Sequence, residues 1–333
     1  MNESKNSTFS KITKSKFANL LGSMIGLIAL ILVFSILSKA FLTVDNAISI
    51  ALSVAIYATM ACGISFVLIV GGAELSAGSI VGVSGVVFCV CLRAGIPGWI
   101  CMFITVACGI LCGFINGVLV TKLHLIPFIA TLSTQYIFRG ATQIISGGSS
   151  ISVREVASEG DLEVLRFIGS GKVFGSIPML VLIMIASAVV LGIILSRTTL
   201  GRKVFATGSN SEAARLSGIN TGRITTTAYM FSGGMAGLAG LMLTLRLLSA
   251  QPTAGQSFEL EGIAASAIGG VSMMGGQGTI SGAVMGAFVV GVMRNGLNLL
   301  GINAFWQQVI TGLIIIGAVW ADIMRKRRES SKK

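Results

Sequence analysis

One cation and five amides crowd a short stretch of this chain: Arg294, Asn295, Asn298, Asn303, Gln307 and Gln308, with Phe305 and Trp306 among them. Amides donate and accept hydrogen bonds and aromatic rings cover C–H faces, so the set suits a polyhydroxylated ligand such as a sugar. Amides also tie helices together, and a Trp at the edge of an apolar run also anchors at an interface, so a structural reading stands beside the binding one. Glu74, Gln135, Arg139, Arg246 and Glu259 are further polar candidates. Glu74 and Glu259 lie at the ends of apolar stretches and would equally cap helix starts.

Covalent chemistry finds no matching constellation. The chain has one histidine, His124, hence no Ser-His-Asp set and no His-Glu-x-x-His zinc motif. Gly169-Ser-Gly171-Lys172 is not a phosphate-binding loop, because Val173 stands where Ser or Thr would bind magnesium and Arg166 where the first Gly belongs. Cys62, Cys89, Cys91, Cys101, Cys108 and Cys112 all lie inside apolar runs and read as packing residues, not as disulfide or metal partners. No catalytic residue, metal or cofactor is expected on this chain.

The elements that must position these residues are membrane helices. Of the residues, 53% are hydrophobic and only 11% charged, with a mean hydropathy of +0.89; a soluble domain of this composition would expose an insoluble surface. Runs near the roughly 20 residues needed to span a bilayer fall at 20–37, 50–70, 99–120, 178–195, 225–245, 281–300 and 305–323. Shorter or interrupted stretches lie at 79–92, 127–145 and 260–274. If each crosses once, the fold is an all-α polytopic membrane helix bundle of about ten transmembrane segments with both termini cytoplasmic. The first run has full spanning length and no small-residue cleavage site after it, so it is expected to remain as a helix.

The net charge of +12 is concentrated at Lys5, Lys11, Lys14 and Lys16, between Arg197 and Arg223, and at Arg325, Lys326, Arg327 and Arg328. That placement fits membrane orientation and contact with anionic lipid, and no base-reading module accompanies it, so nucleic acid is not an expected partner. The chain divides into a basic cytoplasmic tail at 1–18, a transmembrane domain at 19–324 with a cytoplasmic loop at 197–224, and a basic tail at 325–333. Residues 146–176, where Glu155, Glu159, Asp161 and Glu163 offset Arg154, Arg166 and Lys172, then fall outside.

The cytoplasmic loop carries docking chemistry. Ser209 followed by Glu212 reads as a capping box, Ala213, Ala214, Arg215 and Leu216 are good helix formers, and Gly218 is a stop. Asn210, Glu212, Ala213, Ala214, Arg215, Leu216, Ser217 and Gly218 are therefore expected to present a small preformed helix to a cytosolic partner.

Glu74-Leu75 before a Gly- and Ser-rich apolar stretch is echoed by Glu259-Leu260 before another. Likewise, Gly109-Ile-Leu-Cys-Gly113 followed by Asn116-Gly117 is echoed by Gly282-Ala-Val-Met-Gly286 followed by Asn295-Gly296. The echo allows an inverted repeat of two five-helix halves, the arrangement in which a substrate path forms between the halves; chance recurrence of Gly-rich apolar sequence is the alternative. Gly109, Gly113 and Gly117, Gly233 and Gly237, and Gly282 and Gly286 recur every fourth residue, which is the spacing for close helix packing.

Several runs resemble a known family. Leu248-Ser-Ala-Gln-Pro-Thr-Ala-Gly255, Glu261-Gly-Ile-Ala-Ala265, Gly275-Gly-Gln-Gly278 and Asn295-Gly-Leu-Asn-Leu-Leu-Gly301 look like the membrane permease subunit of ribose-type ATP-binding cassette (ABC) importers. So do Gly71-Gly-Ala-Glu-Leu-Ser76, Pro127-Phe-Ile-Ala-Thr-Leu132 and Glu212-Ala-Ala-Arg-Leu-Ser-Gly-Ile219, in order over nearly the whole chain after the first helix. The family usually has Asp where Glu74 stands and Gly-Gly-Asn where Gly208-Ser-Asn210 stands.

The resemblance implies a permease subunit of the bacterial cytoplasmic (inner) membrane, paired with itself or a paralogue. It also implies a cytosolic ATP-binding cassette protein that holds the ATP and magnesium, and an extracytoplasmic sugar-binding protein that delivers a monosaccharide. Residues 210–218 would be the coupling helix, and Asn295, Asn298, Phe305, Gln307, Gln308 and Glu74 are the expected translocation pathway. An ion-coupled secondary sugar transporter is the alternative; it would want carboxylates at helix centres, which the sequence scarcely supplies.

Overall fold

The structure of the protein, a computed structural model, describes residues 22–173 and 175–330. The tail expected at 1–18 lies outside the described residues, as do 331–333 at the other end. The first helix of the described residues is α1 (Gly22–Leu37). There follow α2 (Val44–Ile69), α3 (Ala77–Arg93), α4 (Gly98–Thr121) and α5 (Pro127–Ser146), then the short α6 (Val153–Val156) and α7 (Glu159–Ser170). The second half holds α8 (Met179–Arg197), α9 (Thr199–Ser209), α10 (Ser211–Leu216), α11 (Thr221–Leu247), α12 (Phe258–Ile268), α13 (Ile280–Leu299) and α14 (Ala304–Ser330). Two-residue strands β1 (Ile151–Ser152) and β4 (Ser249–Ala250) pair antiparallel, as do β2 (Lys172–Val173) and β3 (Ile177–Pro178).

Local chemistry sets the helix ends. The Thr43 side chain accepts from the Asn46 N–H to open α2, and the Thr279 side chain accepts from Gly282 N–H to open α13. Pro127 stands in the first turn of α5, and Gly147, at φ 64°, ends it in the left-handed conformation glycine adopts at no steric cost. α2, α4, α8, α11 and α13 are long and apolar enough to cross a membrane, and α1, α3 and residues 305–317 of α14 are shorter apolar helices. α5 has spanning length, but Gln135, Arg139 and Gln143 make it the more polar wall of the bundle.

The stretch expected at 260–274 is helical only to Ile268. Its 11 residues rise about 16 Å, roughly half a hydrocarbon core. Gly270, Gly275, Gly276 and Gly278 all take positive φ and keep the following backbone irregular, while Leu248, Gly255 and Ser257 do the same before the helix. Irregular backbone at membrane depth persists only where the protein satisfies its polar groups. Here Arg139 Nη1 donates to the carbonyls of Pro252 (2.9 Å) and Ala254 (2.7 Å), and Gly276 N–H donates to Ile69 O (2.8 Å).

The core runs along α2, where residues 54–69 are all buried, and α11, whose Tyr229, Met242 and Leu245 are among the largest fully buried side chains. α11 lies against α4, α3 and α2, and α2 lies against α13, α12 and α11. Exchanging α2–α5 for α11–α14 in order maps these neighbours onto one another: α4 on α11 becomes α13 on α2, α3 on α5 becomes α12 on α14, and α3 on α4 becomes α12 on α13. α2 ends beside Gly208 and Gly276, at the end of the molecule where α11 begins, so the two sets run in opposite directions. Four helices of each half carry this inverted relation. α1 packs on α13 through Phe34, Val292 and Leu297, and α8 packs on α2 and α13.

The recurring glycines are contact points. A Cβ on Gly109 would stand 2.8 Å from the Gly237 Cα, and one on Gly113 3.0 Å from the Met230 Cα, so α4 and α11 meet backbone to backbone. A Cβ on Gly286 would stand 2.9 Å from the Gly269 N, which places the second glycine pair against α12.

Candidate functional site

The surface helix forms where it is expected, one residue later than its expected cap. Ser209 is the last residue of α9; the cap is Asn210, in extended conformation at φ −160°, whose Oδ1 accepts from Ala213 N–H at 2.9 Å. Glu212 does not reach back to the cap but pairs with Arg215 at 2.7 Å on the solvent side, and the guanidinium holds the Glu212 carboxyl below its ordinary range. At the other end Gly218, at φ 80°, donates to Arg215 O (3.0 Å), and Ile219 N–H donates to Ala214 O (3.0 Å). These two bonds close a Schellman motif. Ala214 is buried beneath the helix, Ala213 and Ser217 are exposed, and Leu216 is 78% exposed, an apolar side chain left in the open.

α9 seats this knob. Thr198 caps it by accepting from Gly201 N–H at 3.3 Å, and its Gly201, Val204 and Thr207 are buried. Gly208 comes so close to the end of α2 and to the irregular 269–279 segment that a Cβ there would stand 2.8 Å from both the Ile69 carbonyl carbon and the Gly276 N. α9 therefore touches both inverted halves.

Four hydrogen-bonded groups hold most of these polar residues, while Arg246 Nη1 donates to Ser53 Oγ (3.1 Å). Glu74 is fully buried: its Oε1 accepts from Ser76 N–H (2.8 Å) and Ser76 Oγ (2.7 Å), and its Oε2 from Asn116 Nδ2 (3.3 Å). Thr134 Oγ1 donates to Asn116 Oδ1 at 2.7 Å, so this knot ties the start of α3 to α4 and α5. Gln135 Nε2 donates to Glu259 Oε1 (3.1 Å), beside the Arg139 contacts to the irregular loop. Asn295 Nδ2 donates to Asn46 Oδ1 (2.8 Å), fastening α13 to the start of α2. Gln307 Nε2 donates to Asn298 Oδ1 (2.7 Å) and Ile302 O (3.0 Å), clasping the α13–α14 turn.

Only some of the expected path residues share a space. A cavity of about 320 Å³ opens between α12, α13 and α14, with Gln307 and Gln308 on its wall beside Gln256, Glu261 and Arg294. Asn295 and Asn298 are fastened nearby, Phe305 is 73% exposed, and Glu74 belongs to the separate buried knot. Arg294 Nη1 donates to Glu261 Oε1 and to Tyr57 Oη (3.0 Å), with its guanidinium 5.8 Å from the Tyr57 ring centroid. Glu261 and Tyr57 are not among the residues singled out by type and spacing. The signal for Glu261 was its place two residues after Glu259 in an apolar stretch, which puts the two carboxylates on different faces of α12. Tyr57, inside a continuous apolar run, gives none.

Comparison with known proteins matches residues 46–319 to the family described as branched-chain amino acid transport system / permease component. The chain is 38% identical over 302 residues to the ribose import permease protein RbsC of Bacillus subtilis (strain 168), covering 91% of this chain and 92% of that one. It is 36% identical over 300 residues to the RbsC of Escherichia coli (strain K12), covering 90% and 92%. It is 35% identical over 303 residues to the D-allose transport system permease protein AlsC of the same organism, covering 90% of each chain. No solved structure matches it.

Proposed function

The chain belongs to the family of branched-chain amino acid transport system permease components, and from that membership we propose that it is the permease subunit of an ABC importer that passes a monosaccharide, ribose or a related sugar, across the bacterial cytoplasmic membrane. The observation that carries the reading is α10: a six-residue helix capped at both ends, with Leu216, Glu212 and Arg215 exposed at the surface. It is the coupling helix, seated in a groove of a cytosolic cassette protein that binds ATP and magnesium. α9 passes the motion of the cassette to the end of α2 and to the 269–279 segment, and the inverted halves rock to open a central path alternately to each side.

The path runs along α12–α14, through the cavity lined by Gln307 and Gln308, with Asn295 and Asn298 holding its wall and Phe305 further along α14. The chain's similarity to the ribose and D-allose permeases supports a sugar as cargo. The amide-rich wall supports it on chemical grounds. A second permease subunit completes the path, an extracytoplasmic binding protein delivers the sugar, and both termini face the cytoplasm, where the basic residues contact anionic lipid.

Reconstitution in liposomes with the cassette and binding proteins, followed by uptake of labelled pentoses, hexoses and inositol, tests this. Uptake of one sugar that stops without ATP is expected. Gradient-driven uptake without the cassette would move the chain to the secondary transporters.

A further inference from the structure

We propose that Glu261 and Arg294 are the specificity-determining pair of the path, which reads a neutral polyhydroxylated ligand and turns away anionic ones; the inference rests on the permease reading above. The cavity they line, about 320 Å³, lies at the small end of ligand pockets, a size for one sugar ring rather than two. Among the described residues, Glu261–Arg294 is the ion pair inside the bundle, while the other, Glu212–Arg215, is on the surface.

The pair is held in place from behind. Arg294 Nη1 is shared by Glu261 Oε1 and Tyr57 Oη, the Tyr57 ring lies beneath the guanidinium, and Phe258 packs edge-on to that ring at 4.9 Å. Planar, ring-backed guanidinium is a pre-organised donor. The Glu261 side chain is only 8% exposed, and its second oxygen, Oε2, is buried without a hydrogen bond among the described residues. A carboxylate oxygen buried without a donor is costly, and because Glu261 lines the cavity, a turn of its side chain toward that space would give this oxygen a ligand hydroxyl as donor.

Charge then decides which ligand can supply that hydroxyl. With Arg294 neutralised by Glu261, an anionic ligand finds no free positive charge and meets a carboxylate that repels it. A neutral sugar meets an unpaired acceptor, amide groups and the remaining guanidinium N–H groups.

Binding to the permease–cassette complex in nanodiscs, without the binding protein, tests the pair directly. Saturation-transfer NMR with the neutral sugars of the uptake panel and with ribonate and glucuronate gives the ratio of their Kd values. The wild type is expected to favour the neutral sugars, Glu261→Asp to keep that preference, and Glu261→Gln to shift the ratio at least tenfold toward the acids by freeing Arg294. Should Glu261→Gln fail to assemble, Arg294→Gln is expected to weaken neutral-sugar binding at least fivefold and still exclude the acids. A wild-type ratio in Glu261→Gln, an equal shift in Glu261→Asp, or unchanged binding in Arg294→Gln would overturn the assignment. Loss of ATP-driven sugar uptake by the wild type itself would instead sink the permease reading.

Discussion

At the residue scale, polar side chains inside a membrane bundle divide into those that hold helices together and those that face a space, and only partners tell the two apart. Glu74 is of the first kind, since Ser76, Asn116 and through it Thr134 use both of its oxygens. Glu74→Ala leaves the Ser76 N–H and hydroxyl without their buried acceptor, at a cost of about 1–3 kcal/mol. A lowered unfolding midpoint of the purified protein, with no selective change in sugar binding, is the expected result; an unchanged midpoint would return Glu74 to the path. The presence of a carboxylate at this depth was legible in the sequence, but its role was not, because Asn116 lies a whole helix further along the chain. Gly218 is the opposite case. Its φ of 80° closes α10, a value a β-branched residue reaches only with strain, so Gly218→Val should fray the helix and cut ATP-driven uptake several-fold while the amount of protein in the membrane is unchanged.

At the scale of elements, α10 was legible as a short helix between two apolar runs, and its boundary was missed by one residue. Ser209 and Asn210 are both good caps; the choice falls on Asn210 because α9 continues through Ser209 and only then does the backbone turn extended. The shortness of α12 was hidden by composition, since the residues after Ile268 stay apolar while their glycines abandon helical geometry. The seat of α9 yields a sharper prediction. Gly208→Val places a branched side chain against the Ile69 carbonyl and Gly276 backbone, so it should uncouple uptake from ATP hydrolysis by pushing α9 off α2, whereas Ser217→Ala, on the exposed face, should leave uptake near wild type. Equal effects of the two substitutions in the reconstituted system would remove α9 as the transmitting element.

At the scale of the whole molecule, the inverted relation foreshadowed by the Glu-Leu and glycine echoes is carried by four helices of each half, with α1 and α8 added asymmetrically. Repetition of sequence marked the equivalent helices; the packing of α1 and α8 depends on shape complementarity that no local pattern records. The two ends of the bundle should then face opposite compartments. Ser158→Cys at the head of α7 should react with a membrane-impermeant maleimide in intact cells, and Ser217→Cys only after permeabilisation; labelling of both from one side would refute the arrangement. The small size of α10 has one more consequence. Stable protein interfaces typically engage about 20–30 residues a side, far more than a knob of six helical residues provides. A single such contact would be short-lived, and on the permease pair proposed above lasting assembly would come from two knobs held together, where each raises the local concentration of the other. The grip of the complex is then an avidity, and mixed dimers with one damaged α10 should shed their ATPase far more readily than half the contact area would imply.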